Sequence, residues 1–307
     1  MAHIPVLLPE VTEYLITDRS GVYLDATVGE GGHSKAILSQ LDKRGKLICI
    51  DRDEQAIQKA KTNLAGFGKK VFSQKLSFSQ LEEFLKELKI DGLSGFLFDL
   101  GISTNQIEDA SRGFSYLADG PLDMRMDQAQ AKTAADVVNS YDQRSLAQIF
   151  FEFGEERFSK RIASAVVRVR EKRRIETTSQ LREIIEARVN PRYRIKSLAR
   201  IFQALRIEVN QELEELKQGL KTAIDFLKPN GRACVITYHS LEDRIVKNQF
   251  RQLYQTCKCP PSFPICRCGQ KKVLEILTKK PITPSLDETK ANPKSRSAKL
   301  RVAVKLG

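Results

Sequence analysis

Short apolar runs alternate with runs of helical period through the first hundred residues. Val22-Tyr-Leu has the character of a buried strand, with Asp25 at its end. A turn rich in glycine follows (Gly29, Gly31, Gly32), and a helical run extends over 34–41. Lys46-Leu-Ile-Cys-Ile predicts a second strand ending in Asp51, and Ala56, Ile57, Ala60 and Leu64 mark a helix over 54–64. Val71-Phe72 is a short third strand. Ser79 is placed to cap a helix over 80–88, and Gly95-Phe-Leu-Phe leads to Asp99 as a fourth strand. A run of equal quality, Arg232-Ala-Cys-Val-Ile-Thr-Tyr, comes only about 130 residues later. A β–α crossover needs about 30 residues, so the surplus predicts an inserted helical domain. The boundaries expected are 1–106 and 214–307 for a mostly parallel α/β domain and 107–213 for the insertion. A helix over 241–254 comes next, then two final strands at 273–277 and 300–304. The proline-bearing stretch 281–294 between those strands reads as a long surface loop.

Composition adds a partner class. The chain has 307 residues, 41% hydrophobic, and carries a formal net charge of +13. That excess points to a polyanion such as nucleic acid. It is concentrated in the insertion, where residues 157–206 hold fifteen basic residues against four acidic. Ile162, Ala165, Val166 and Val169 form an apolar stripe there, with Arg161, Arg168 and Arg170 off it. No run approaches 18 apolar residues, and the opening decapeptide lacks the basic start of a signal peptide. A cytoplasmic protein with no membrane partner is the expectation.

Strand, glycine turn and helix together expose backbone N–H groups to a ligand. Asp51, about 20 residues beyond the turn, is placed to accept hydrogen bonds from ribose hydroxyls. A dinucleotide fingerprint would require glycine at position 34, where this chain has Ser34. Asp25 and the Gly-x-Gly-Gly turn resemble instead the S-adenosyl-L-methionine-binding loop of methyltransferases.

Nine stretches in order carry a more specific resemblance. They begin with His3-Ile-Pro-Val-Leu, Asp25-Ala-Thr-Val-Gly-Glu-Gly-Gly-His33, Asp99-Leu-Gly-Ile-Ser103 and Arg112-Gly-Phe-Ser. Gly120-Pro-Leu-Asp-Met-Arg-Met-Asp127, Phe153-Gly-Glu-Glu-Arg-Phe and Phe202-Gln-Ala-Leu-Arg-Ile follow. Tyr238-His-Ser-Leu-Glu-Asp-Arg244 and Asn292-Pro-Lys-Ser-Arg-Ser-Ala-Lys-Leu-Arg301 complete the set. Across essentially its whole length the chain resembles the ribosomal RNA small-subunit methyltransferase H (MraW-like) family. The resemblance implies a class I (Rossmann-like) methyltransferase fold with an inserted α-helical, RNA-recognising domain. It implies methyl transfer from S-adenosyl-L-methionine to the exocyclic N4 of a cytidine in 16S rRNA near the decoding centre. The assembled small subunit is the expected form of the substrate, and homodimerisation stays open. Carried over by motif, Gly31, Gly32, His33, Asp51, Phe78, Asp99 and Gln106 would contact the cofactor. The family usually has serine and proline where this chain has Thr104 and Asn105, which loosens the loop leading to Gln106.

A cytosine amine is a poor nucleophile because its lone pair is conjugated with the ring, so positioning is the main demand on the site. The Asp/Asn-Pro-Pro-aromatic motif of many amino-methyltransferases is replaced here by Asp99-Leu-Gly-Ile-Ser. Asp99 or nearby carbonyls would then accept from the target amine or from the cofactor's amino group. His239, expected at the carboxyl end of the fifth strand, would take up a proton or orient the base, with Tyr238 offering a stacking face; a purely structural His239 is an equal alternative. Asp123, Arg125 and Asp127 read equally as a lid or as a solvated loop. The basic tail 290–305 is a second RNA-contact candidate. Cys257, Cys259, Cys266 and Cys268 form two C-x-C pairs rather than the usual C-x-x-C knuckles. Zinc and plain reduced thiols both remain open for them, and no metal is assigned.

Overall fold

The structure, a computed structural model, describes residues 5–255 and 271–307. The four clustered cysteines fall outside the described residues. The chain divides into two compact units, residues 1–101 with 213–307 and residues 102–212.

In the first unit the elements are α1 (Leu8–Leu15), β1 (Val22–Asp25), α2 (Gly32–Gln40), β2 (Lys46–Asp51), α3 (Glu54–Leu64), β3 (Val71–Lys75), α4 (Leu81–Glu87) and β4 (Leu93–Asp99). Among the described residues seven strands form one sheet in the order β3-β2-β1-β4-β5-β7-β6, where β5 is Leu227–Thr237, β6 Leu274–Ile276 and β7 Lys299–Lys305. The first five pair in parallel, and β7 runs antiparallel to both β5 and β6. This is the class I, Rossmann-like arrangement. Its strand order reverses between β1 and β4, the switch point beside which such sheets bind ligands at the carboxyl ends of the strands. β4 is buried from Leu93 through Phe98 on both faces, so its sequence shows no alternation. One face of the sheet packs Leu24, Ile50, Phe96, Phe98 and Val235, and the other packs Tyr23, Leu47, Leu97, Cys234 and Ile236.

Local chemistry moves several expected boundaries. Ser77, not Ser79, makes the capping box with Gln80, and a 3₁₀ turn over Phe78–Gln80 precedes α4. The backbone N–H of Ser79 is instead taken by the Glu215 carboxylate at 3.0 Å. The stretch 281–294 is not a plain loop: Ser285 caps a helix over Leu286–Ala291, too short to show a period. That helix matters to the N-terminal segment, because Glu288 accepts the backbone N–H of Leu7 at 2.7 Å. In the basic tail, Arg301 forms a two-point pair with Asp243 at 2.6 and 3.1 Å and is 8% exposed, so its guanidinium serves the sheet.

The second unit is helical, with α5 (Thr104–Glu108), α6 (Ala134–Ser140), α7 (Gln143–Glu152), α8 (Ser159–Arg170), α9 (Thr178–Glu186) and α10 (Arg194–Asn210). α11 (Glu212–Asp225) leads back to β5, which is followed by α12 (Ser240–Tyr254) and, before β7, by α13 (Leu286–Ala291). Ile162, Ala165 and Val166 of the apolar stripe are buried with Phe150, Leu181 and Leu205. Val169, one turn on, is 37% exposed and leaves the stripe.

The segment around Asp123, Arg125 and Asp127 is no solvated loop. Leu122, Met124 and Met126 are buried in the core of this unit, and Asp123 clamps Arg125 at 2.8 and 2.7 Å. Asn210, 1% exposed, holds the segment from α10: its Oδ1 accepts from Met126 N, and its Nδ2 donates to Met124 O and Arg206 O, each at 2.8 Å. Asn210→Ala is therefore expected to lower unfolding free energy by about 2–4 kcal/mol, because it orphans a buried N–H and C=O together. Urea unfolding followed by circular dichroism checks this, and an unchanged midpoint would refute it.

Candidate functional site

β1 ends in Asp25, and the chain must turn there to enter α2. Gly31 makes this turn at φ +86°, a left-handed conformation that favours glycine. A Cβ on Gly32 would lie 2.6 Å from Pro5 Cγ, so that position has no room for a side chain. Above Gly29 nothing lies within 4 Å of where a Cβ would stand, so the turn is open on that side. Its conformation is held from the neighbouring strand: Gly29 N donates to Asp51 Oδ2 at 3.0 Å, and Asp53 N donates to Oδ1 at 2.9 Å. Each carboxylate oxygen keeps a further acceptor position. Burial outweighs these two bonds and pushes the Asp51 carboxyl up to about 6.

Behind the turn, Asp25 is 1% exposed and accepts Ser34 Oγ–H at 2.6 Å and Thr27 N–H at 3.2 Å. Ser34, the residue that breaks the dinucleotide fingerprint, is thus the hydroxyl donor to the buried acid. Burial raises Asp25 despite that bond and lowers His33 despite the attraction of Asp25, so the His33 ring is neutral.

The His33 tautomer follows from its partner. Nε2 lies 2.9 Å from Val6 O, and a carbonyl only accepts, so the proton sits on Nε2. Nδ1 then presents a lone pair, 3.5 Å from Asp99 Oδ2. Two acceptors converge at one place, an arrangement that takes up an N–H or ammonium donor.

Asp99, at the end of β4, is fixed through its backbone and one carboxylate oxygen, while the other oxygen faces His33. Its backbone N–H donates to Thr27 Oγ1 at 2.6 Å, Tyr238 donates its hydroxyl to Oδ1 at 2.8 Å, and His33 faces Oδ2. Burial, reinforced by the Asp99 charge, raises the Tyr238 hydroxyl, so it remains a donor. Gly101, at φ +105°, lies against the ring, where a Cβ would come within 3.1 Å of Tyr238 Cδ2. The hydroxyl of Tyr238 is thus tied to the acid of β4 and one flank of its ring is covered.

His239 follows β5 and serves as N-cap of α12, its Nδ1 accepting Glu242 N–H at 3.5 Å. Glu242, 3% exposed, returns the bond by accepting the N–H groups of Tyr238 at 2.9 Å and His239 at 3.3 Å. Glu242 and Thr27 position the Tyr238–Asp99 pair, and both were missed as functional residues. The His-x-x-Glu spacing was a capping-box signal for the first; the second lies within the motif Asp25–His33, where its role depends on a bond to β4.

The structure therefore gathers Gly31, Gly32, His33, Asp51, Asp99, Tyr238 and His239 along the carboxyl ends of β1, β2, β4 and β5. Phe78 follows β3 with its ring 4.8 Å from that of Phe98. Gln106 belongs to the second unit, where it is buried and its Oε1 accepts Ser103 N–H in the capping box of α5. Without the expected proline, that box organises the start of the helix. Among the described residues no helix is long and apolar enough to cross a membrane.

The family model described as the MraW methylase family matches residues 1–306. The Ribosomal RNA small subunit methyltransferase H of Caldicellulosiruptor saccharolyticus is 51% identical over 308 residues, covering 99% of both chains. That of Carboxydothermus hydrogenoformans is 48% identical, covering 99% of this chain and 98% of its own. Among solved structures, an rRNA methylase from Streptococcus thermophilus aligns at 11% identity over 98% of this chain and 94% of its own, with a TM-score of 0.44. With a family model spanning nearly every residue and relatives near half identity over full length, the chain belongs to the MraW methylase family.

Proposed function

We propose that this chain methylates ribosomal RNA of the small subunit using S-adenosyl-L-methionine, and that the acceptor is the exocyclic N4 amine of a cytidine in 16S rRNA near the decoding centre. The observation that carries the reading is the convergence of His33 Nδ1 and Asp99 Oδ2 beside an open glycine turn at the switch point of the sheet. The full-length relatives named for small-subunit rRNA methylation support the substrate class.

The residues fit the cofactor. Asp51 retains acceptor positions for ribose hydroxyls, the glycine turn leaves room for close approach, and the paired acceptors of His33 and Asp99 suit an amino group. Phe78 offers an apolar ring for a base. When bound, the cofactor supplies an electrophilic methyl on a sulfonium. The protein's own part is positional: the Tyr238 hydroxyl holds Asp99 Oδ1 and Thr27 holds the Asp99 backbone N–H, so that the carboxylate accepts from an N–H donor without reorganising. His239, capped into α12 at the end of β5, is the proposed group beside the target base that orients it or takes its proton. The basic helical unit, with residues 107–213 as the RNA-recognising insertion, supplies the phosphate contacts.

Transfer of labelled methyl from S-adenosyl-L-methionine to small subunits lacking the modification, followed by nucleoside analysis, tests the reading. N4-methylcytidine at a single site is expected. Label in another nucleoside would overturn the acceptor assignment, and no incorporation despite cofactor binding would overturn the rRNA assignment.

A further inference from the structure

The helical unit contains a groove of about 320 Å³ between the end of α8 and α9, within the range of about 300–1,000 Å³ usual for small-ligand sites. Its floor is aliphatic, made by Val169, Ile175 and Ile184, and its rim carries Arg173, Arg174 and Arg188. Val169 is the residue that leaves the apolar stripe, and its 37% exposure is what this groove accounts for. The groove is preformed. Asn139 grips Ile175 through both backbone groups, at 2.7 and 3.0 Å, and Arg170 donates to Val138 O at 2.7 Å. The segment linking α8 to α9 is thereby pinned at both ends.

The rim charges are at most weakly engaged. Arg173 and Arg188 make no ion pair among the described residues, and Arg174 has only an exposed pair with Asp136 at 3.3 Å. Exposed pairs of that kind hold their partners weakly. Resting on the rRNA reading above, we infer that this groove binds an unstacked nucleotide of the RNA substrate other than the methyl acceptor. Its base lies on the aliphatic floor, and its flanking phosphates meet the arginines. A duplex presents phosphates but hides its base faces, so an apolar floor between cations favours a single-stranded loop or bulge. Glu183 also lines the groove. Its carboxylate opposes a uniformly anionic occupant such as an acidic peptide, but it can accept from the amino group of a base.

Two measurements test the assignment on the full chain. The double variant Arg173→Ala/Arg188→Ala is expected to raise KM for small subunits at least about tenfold. It should also reduce the slope of log affinity against log salt by about 1.4, at about 0.7 per single-strand phosphate lost. Cofactor affinity and thermal midpoint should not move, since both side chains sit on the groove rim, and Arg173→Lys/Arg188→Lys should restore the slope. A benzophenone-bearing residue at position 169 is expected to crosslink to 16S rRNA. An unaltered KM and slope, or a crosslink only to a ribosomal protein, would overturn the groove and leave the methyltransferase reading standing. Absence of methyl transfer to rRNA by the unaltered chain would overturn both.

Discussion

Asp99→Asn is expected to lower methyl transfer by about 100- to 1,000-fold, the range seen when one preorganised polar group is removed from a reacting centre. The fold should survive. The amide oxygen can still accept the Tyr238 hydroxyl, and the new N–H₂ faces His33 Nδ1, which is a lone pair in the neutral ring. The substitution thus removes the charge and turns one of the two converging acceptors into a donor. An N–H of the target amine or the cofactor would then meet a like group. Asp99→Ala differs instructively, because it also strands the half-buried Tyr238 hydroxyl and should cost stability as well. Single-turnover transfer measured beside a thermal melt separates the two effects. Near-normal transfer by the asparagine variant would remove Asp99 from the chemistry.

Asp51 carries the second large effect. Its carboxylate accepts backbone N–H groups and, in the proposed complex, ribose hydroxyls. Losing a charge-assisted acceptor in Asp51→Asn should weaken cofactor binding by about 1.5–3 kcal/mol, roughly 10- to 150-fold. The same residue predicts a pH dependence. Its folded-state value of about 6 lies above the ordinary 3.8. Cofactor binding favours the ionised form, so affinity should fall as pH drops through about 6 and level off above it.

Stability of the cofactor-free chain has the opposite sign. Between 3.8 and about 6 the folded state binds more protons than the unfolded, so this group's contribution declines as pH rises across that window. Titration calorimetry at several pH values would show the profile, and Asp51→Asn should flatten it. An affinity independent of pH in the unaltered chain would show that Asp51 is not the group the cofactor meets.

Much of the first unit was legible because its strands are short apolar runs bounded by acids and glycines. Asp25, Asp51 and Asp99 could each be placed at a strand end before any coordinates, since each closes an apolar run. The helix over 54–64 was readable to the residue because its apolar positions keep period. The six-residue helix at 286–291 was not readable, since it spans fewer than two turns and its purpose lies in a bond to Leu7, far away in sequence. For the motif 120–127 the charges suggested a solvated loop as readily as a lid, and burial rules out the loop. Asp123 and Arg125 satisfy one another locally, and the alternating methionines carry the motif into a core that Asn210 of α10 anchors.

By itself the amino-acid sequence determined the order of the strands and of the helices between the first four, a helical stretch with an excess of positive charge after them, and the family, because these rest on local pattern and on motifs kept in order. Only the tertiary structure decided how the side chains act on one another. It showed that Ser34 serves Asp25, that Tyr238 acts on Asp99 through its hydroxyl, and that His33 turns a lone pair toward that acid. It also showed that Val169 and three arginines share one groove. Each of these depends on which groups meet across strands and helices and which protons their partners can accept, a question of distance in space that a linear pattern does not encode.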